Sequence, residues 1–71
     1  MIDTKLLKSR LVLAGLTTKA FADALGWSKS TAYRKISGHV AFTATEIQRC
    51  VDLLQLDMQT AQDIFFKSHL S

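Results

Sequence analysis

The chain of 71 residues makes one small domain, which at this size buries only about 60% of the surface its unfolded form exposes and is open to help from a partner. No proline, three glycines and 48% hydrophobic residues favour helices over sheets; one cysteine excludes an internal disulfide and suits a reducing, cytoplasmic setting. The net charge of +3 is unevenly spread: residues 1–39 carry seven basic against two acidic side chains, and residues 40–71 carry two against four.

Taken in order, Asp3 can cap a first helix from Thr4 to Ala14 that Gly15 ends, with Leu6, Leu7, Leu11, Leu13 and Ala14 on its apolar side. Lys5, Lys8 and Arg10 lie on its polar side. The helix is short for a membrane-surface anchor and lacks an aromatic residue, so it reads as the first core helix. The longest apolar run, Leu11 to Leu16 with Gly15 inside it, cannot span a bilayer, and no secretory signal opens the chain.

Thr17 to Gly38 is the stretch around which the rest is organised. Thr17 can cap a second helix whose Phe21, Ala22 and Leu25 share one face at spacings of three and four. Gly26 follows, where the helix end needs positive φ. Trp27 fills the corner, and Ser28 can cap a third helix that runs to Ser37 before Gly38 stops it. Two helices joined by a glycine-containing turn of a few residues form the helix-turn-helix pattern.

The third helix has two unlike sides. At 100° per residue, Lys29, Ser30, Tyr33, Arg34 and Ser37 span roughly 140° of the circumference, and all five can donate hydrogen bonds. Ala32 and Ile36 lie opposite, towards Phe21, Ala22 and Leu25. A donor-rich face with two cations suits a polyanion whose groove edges are rich in acceptors. Periodicity alone favours an ordinary amphipathic helix with a solvated face. The upstream turn and the concentration of positive charge in this half of the chain favour the polyanion.

His39 to Phe42 form a connector with Phe42 as its core anchor. Thr43-Ala44-Thr45-Glu46 matches the capping box, and Ile47, Cys50, Val51 and Leu54 make the inward stripe of a fourth helix. Cys50 belongs to that stripe as a small buried hydrophobe. Leu56 staples the next corner, and Asp57 can cap a fifth helix from Met58 to about Phe66 with Met58, Ala61, Ile64 and Phe65 turned inward. Adjacent Phe65 and Phe66 cannot both face the core. Either one is left as an association surface or the chain end folds over it.

Catalysis finds little support. His39 and His69 fall in loop or tail positions without a carboxylate nearby in sequence, and with Cys50 they lack metal-ligand spacing. Each glycine stands alone at a helix end, so no phosphate-cradling loop exists. The expectation is a non-enzymatic binding module without metal, cofactor or small-molecule substrate.

The run Leu16-Thr17, Phe21-Ala22, Leu25-Gly26-Trp27-Ser28-Lys29-Ser30-Thr31 and Gly38 resembles the helix-turn-helix of the lambdoid Cro and repressor class. With Met1-Ile2-Asp3-Thr4, Tyr33-Arg34-Lys35-Ile36, Phe42-Thr43, Glu46-Ile47 and Asp63-Ile64-Phe65-Phe66, the chain is similar over nearly its whole length to small Cro-like proteins of temperate phages of Gram-positive bacteria, including the antirepressors called modulators of repression. The resemblance implies a five-helix domain whose third helix enters the DNA major groove, with Lys29, Ser30 and Arg34 at base-reading positions and Thr18, Ser28, Thr31 and Ser37 at phosphate-contacting ones. It departs at Thr18, where the family usually has a Gln that braces the first base-reading side chain and touches phosphate. Thr is too short to do both. Two partners are therefore expected for the third helix: operator DNA, bound as a dimer on paired half-sites, or the cognate phage repressor, gripped by Tyr33 and Arg34.

Overall fold

A computed structural model of the chain describes residues 2–66. They form five α-helices and no strand: α1 (Thr4–Leu13), α2 (Thr18–Leu25), α3 (Lys29–Ile36), α4 (Ala44–Leu54) and α5 (Met58–Phe65). The fold is all-α, as the sequence predicts. Among the described residues no helix is long and apolar enough to cross a membrane. Helices of this length do not persist alone in water, so their ends and their packing must hold them.

Both kinds of end are built the same way along the chain. Asp3, Thr17, Ser28, Thr43 and Asp57 each accept a bond from the amide three residues on, at 2.7–3.2 Å. Each such cap contributes about 1 kcal/mol. At the other end, Leu16, Trp27, His39 and Leu56 donate their amides to the carbonyls of Leu11, Ala22, Arg34 and Val51, at 2.8–3.0 Å. That closure needs a left-handed residue just before the donor. Gly26 supplies it after α2 at φ +75, where a Cβ would cost energy. After α4 the position is held by Gln55 at φ +53, the one non-glycine with positive φ among the described residues.

One contiguous core joins all five helices. Phe21, Ala22 and Leu25 of α2 meet Ala32 and Ile36 of α3, with Leu7 and Leu11 of α1, Cys50 and Leu54 of α4, and Ala61, Ile64 and Phe65 of α5 around them. Leu56 is buried at the α4–α5 corner. The Asp3 amide donates to the Ile64 carbonyl at 2.8 Å, which fastens the start of α1 to α5. Arg49 of α4 reaches the Ala24 and Leu25 carbonyls at 3.2 and 3.3 Å and so holds the C-terminus of α2. A guanidinium there also complements the negative end of the helix dipole.

Three expected core residues lie outside it. Leu13 is 75% exposed and Ala14 is exposed as the α1 C-cap. Leu13 lies roughly 160° around the helix from Leu11, so α1 is simply apolar on more than one side. Met58 is 78% exposed. It is the first residue of α5, and helical side chains lean towards the N-terminus, which carries this one past the edge of the core. Ile47 and Val51 are half-buried rather than fully inward.

Gln55→Gly is expected to stabilise the protein by up to about 1 kcal/mol, because relief of the left-handed cost exceeds the extra backbone entropy lost on folding. The midpoint of chemical denaturation measures it. A lower midpoint would show that the Gln55 side chain makes a contact worth more than its strain.

Candidate nucleic-acid interface

The outward side of α3 is composed as expected. Lys29, Ser30, Tyr33 and Arg34 are exposed, Tyr33 by 63%, while Ala32 and Ile36 are buried. Among the described residues no hydrogen bond or ion pair occupies the side chains of these four. They stand free to meet another surface.

The residues expected at phosphate are placed less uniformly. Thr18 is the first residue of α2 and is half-buried, as are Thr31 and Ser37, whereas Ser28 is exposed. The Ser28 hydroxyl accepts the Thr31 amide at 3.1 Å and donates to the Thr31 hydroxyl at 3.0 Å, so cap formation already uses both side chains. Capping leaves the first amides of α2 and α3 without partners inside their helices, and these point out of the helix ends. Thr18 and Lys29 stand at those ends.

One cation counted in the basic half from sequence, Lys35, is committed elsewhere, and so is Arg49 of the acidic half. Lys35 is only 7% exposed. Its ammonium donates to Oε1 of Glu46 and, at 3.2 Å, to the Ala41 carbonyl, and it lies 5.0 Å from the centroid of the Trp27 ring and 5.9 Å from that of Phe42. Arg49 is spent on the carbonyls of α2. The wheel leaves Lys35 on the Ala32–Ile36 side, which is a usable signal. Its partner eleven residues away on another helix follows no spacing rule.

Glu46 is correspondingly doubly engaged. The same Oε1 that receives Lys35 also accepts the Thr43 amide at 2.9 Å, completing the capping box. Burial pushes this carboxyl up, but the Lys35 hydrogen bond, the Thr43 amide and the Lys35 charge together leave it below the ordinary Glu value. Asp57 is held low too, mainly by the Thr60 amide. The Cys50 thiol is pushed up to about 12, first by burial and then by Glu46, so it stays protonated and unreactive near neutral pH. Among the described residues no three metal-binding side chains converge.

A second surface lies on α4 and α5. Phe65 is buried against Phe42, with ring centroids 5.2 Å apart, and Phe66 is left 65% exposed. The choice between the adjacent phenylalanines is thus made in favour of Phe65 as core. An apolar groove of about 660 Å³ runs beside Phe66, lined by Phe42, Ala44, Ile47, Val51 and Met58. Aromatic rings connect it to the α2–α3 corner: Phe21 on Trp27, Trp27 on Phe42, Phe42 on Phe65 and Phe65 on Phe66, with centroids 5.2–6.4 Å apart. His39 is exposed in the turn after α3. Lys67, His69 and the chain end that would fold over Phe66 lie outside the described residues.

The pH dependence of stability follows from Glu46. Its folded carboxyl stays charged to lower pH than an unfolded one, so its contribution is full above the ordinary Glu range and is lost as pH falls below that range through the lower folded value. Denaturation midpoints from pH 7 to pH 3 should fall more steeply for wild type than for Glu46→Gln. Parallel profiles would show that this carboxylate carries no linked stability.

No curated protein matches the chain. A family model described as a protein of unknown function, DUF739, matches residues 1–68, and the chain belongs to that family.

Proposed function

We propose that this protein is a Cro-like helix-turn-helix regulator of the lysis–lysogeny switch of a temperate phage, acting in the bacterial cytoplasm through operator DNA. The observation that carries the reading is the free donor face of α3: Lys29, Ser30, Tyr33 and Arg34 are exposed and bonded to nothing among the described residues. Side chains left uncommitted on a helix so short, while neighbouring cations are bonded internally, are suited to an external acceptor surface. Lys29 and Arg34 attract phosphate or read guanine bidentately, and Ser30 and Tyr33 add neutral donors. Thr18, Ser28 and Thr31 lie at the N-terminal ends of α2 and α3, where unpaired amides add to the pull on phosphate, and Ser37 caps the far end of α3, where only its hydroxyl could contribute. The protein works as a homo- or heterodimer and needs no metal or cofactor.

A second reading has its own observation. The groove beside exposed Phe66 and Met58 is apolar and open, and a patch of this kind on a small domain favours a protein partner. With the short Thr18 in place of the usual Gln, it supports an antirepressor that binds the phage repressor and blocks its DNA surface without touching DNA itself.

Binding of Arg34→Ala to a panel of operator variants tests the first reading. A loss of about 1–3 kcal/mol with relaxed preference at one base pair is expected if Arg34 reads a guanine. An equal loss on every sequence makes it a phosphate contact. No binding by wild type to any operator sequence refutes the DNA reading. For the second surface, Phe66→Ser is expected to weaken self- or repressor association with the helical circular-dichroism signal unchanged. Unaltered association would remove this surface from the account.

A further inference from the structure

The ammonium of Lys35 is held by residues from three separate parts of the chain. Trp27 comes from the turn before α3, Ala41 and Phe42 from the connector after it, and Glu46 from α4. At 7% exposure and with its donors turned inward, this lysine does not share the outward face of Lys29 and Arg34. Stability alone does not account for it. An ion pair with a buried member is often no more stabilising than apolar side chains of the same volume, because the buried charge, here that of Lys35, loses its water while Glu46 is only half-buried. What the pair adds is direction: hydrogen bonds fix distance and angle where apolar contacts allow sliding.

We propose that Lys35 and Glu46 are positioning residues that set how α3 presents Lys29, Ser30, Tyr33 and Arg34, and that Lys35 contacts no phosphate. This rests on the reading of α3 as the surface that meets DNA. The link acts on both flanks of the helix. Glu46 Oε1 is shared between Lys35 and the Thr43 amide, so the start of α4 and the last turn of α3 are set by one oxygen. The Gly38 amide bonds to the Lys35 carbonyl at 3.2 Å, and the His39 and Val40 amides bond to that of Arg34 at 2.9 and 3.3 Å. Displacement of the Lys35 backbone therefore disturbs the exit of α3 as well.

The test compares operator binding by wild type, Lys35→Met, Glu46→Gln and the double variant, at a temperature where circular dichroism shows each one folded. Gln keeps the capping box while removing the charge, so Glu46→Gln reports on the link even if Lys35→Met fails to fold. Lys35→Met is expected to lose roughly tenfold in operator affinity, an effect within reach of coupled neighbours, with little change on random DNA. Its log–log salt slope is expected to match wild type, whereas a lost phosphate contact would reduce the slope by about 0.9. Glu46→Gln discriminates by sign: removing a negative charge should tighten binding to a polyanion, and the positioning role predicts weaker operator binding. The double variant is expected to lose less than the two singles combined. A reduced slope in Lys35→Met with tighter binding by Glu46→Gln overturns the proposal.

If wild type binds no operator, the functional reading fails first, and the link is then judged by amide hydrogen exchange in Lys35→Met. Faster exchange at Gly38, His39 and Val40 than the global loss of stability explains would support the link as what holds α3. Protection there that falls only with global stability would overturn it.

Discussion

Lys35 is the only charged side chain among the described residues that falls within the core, and the geometry around it constrains much of the molecule. An ammonium out of water must find acceptors or it will not stay charged there. It finds the Glu46 carboxylate, the Ala41 carbonyl and the faces of Trp27 and Phe42. Cation–aromatic contacts of this kind strengthen as water is excluded. Meeting all four requires that the α2–α3 turn, the α3–α4 connector and the first turn of α4 lie together, which is the packing the fold adopts.

Around that point the structure depends on ends more than on lengths. Helices of eight to eleven residues have too few internal hydrogen bonds to form independently. Five side-chain caps and four repeated C-terminal closures satisfy amides and carbonyls that the short helices leave open. Arg49 adds two more bonds at the end of α2. α4 therefore grips α2 through Arg49 and α3 through Glu46, while Ile47 and Val51 of the same helix line the apolar groove. The two candidate surfaces share one supporting helix.

The parts of this arrangement that were legible in the sequence are those with local causes. A capping hydroxyl or carboxylate acts over three residues, and a glycine acts on its own φ, so Asp3, Thr17, Ser28, Thr43, Asp57 and Gly26 could each be read in place. Spacing also separated the donor face of α3 from Ala32 and Ile36. Leu13 and Met58 lie outside the core that their spacing predicts, because apolar character does not reveal where the core stops. Burial of Lys35 and the reach of Arg49 depend on packing between distant helices, and with Lys35 buried the basic half offers a partner one cation fewer than its charge count implies. Spacing with Ala61 and Ile64 turns Phe65 inward, and the structure leaves Phe66 as the exposed member of the pair. What spacing does not reveal is that the ring packing on Phe65 is Phe42, from another element.

The free face of α3 and the groove beside Phe66 ask for different partners, one rich in acceptors and one apolar. The measurement that separates them most directly is fluorescence anisotropy of labelled phage switch-region DNA, titrated with wild-type protein at two salt concentrations, with and without the repressor's N-terminal domain. The account predicts saturable, sequence-selective binding by the protein alone, weakening with salt by a log–log slope of about −0.9 for each phosphate contacted. No binding alone, together with release of bound repressor from the same DNA, would contradict it.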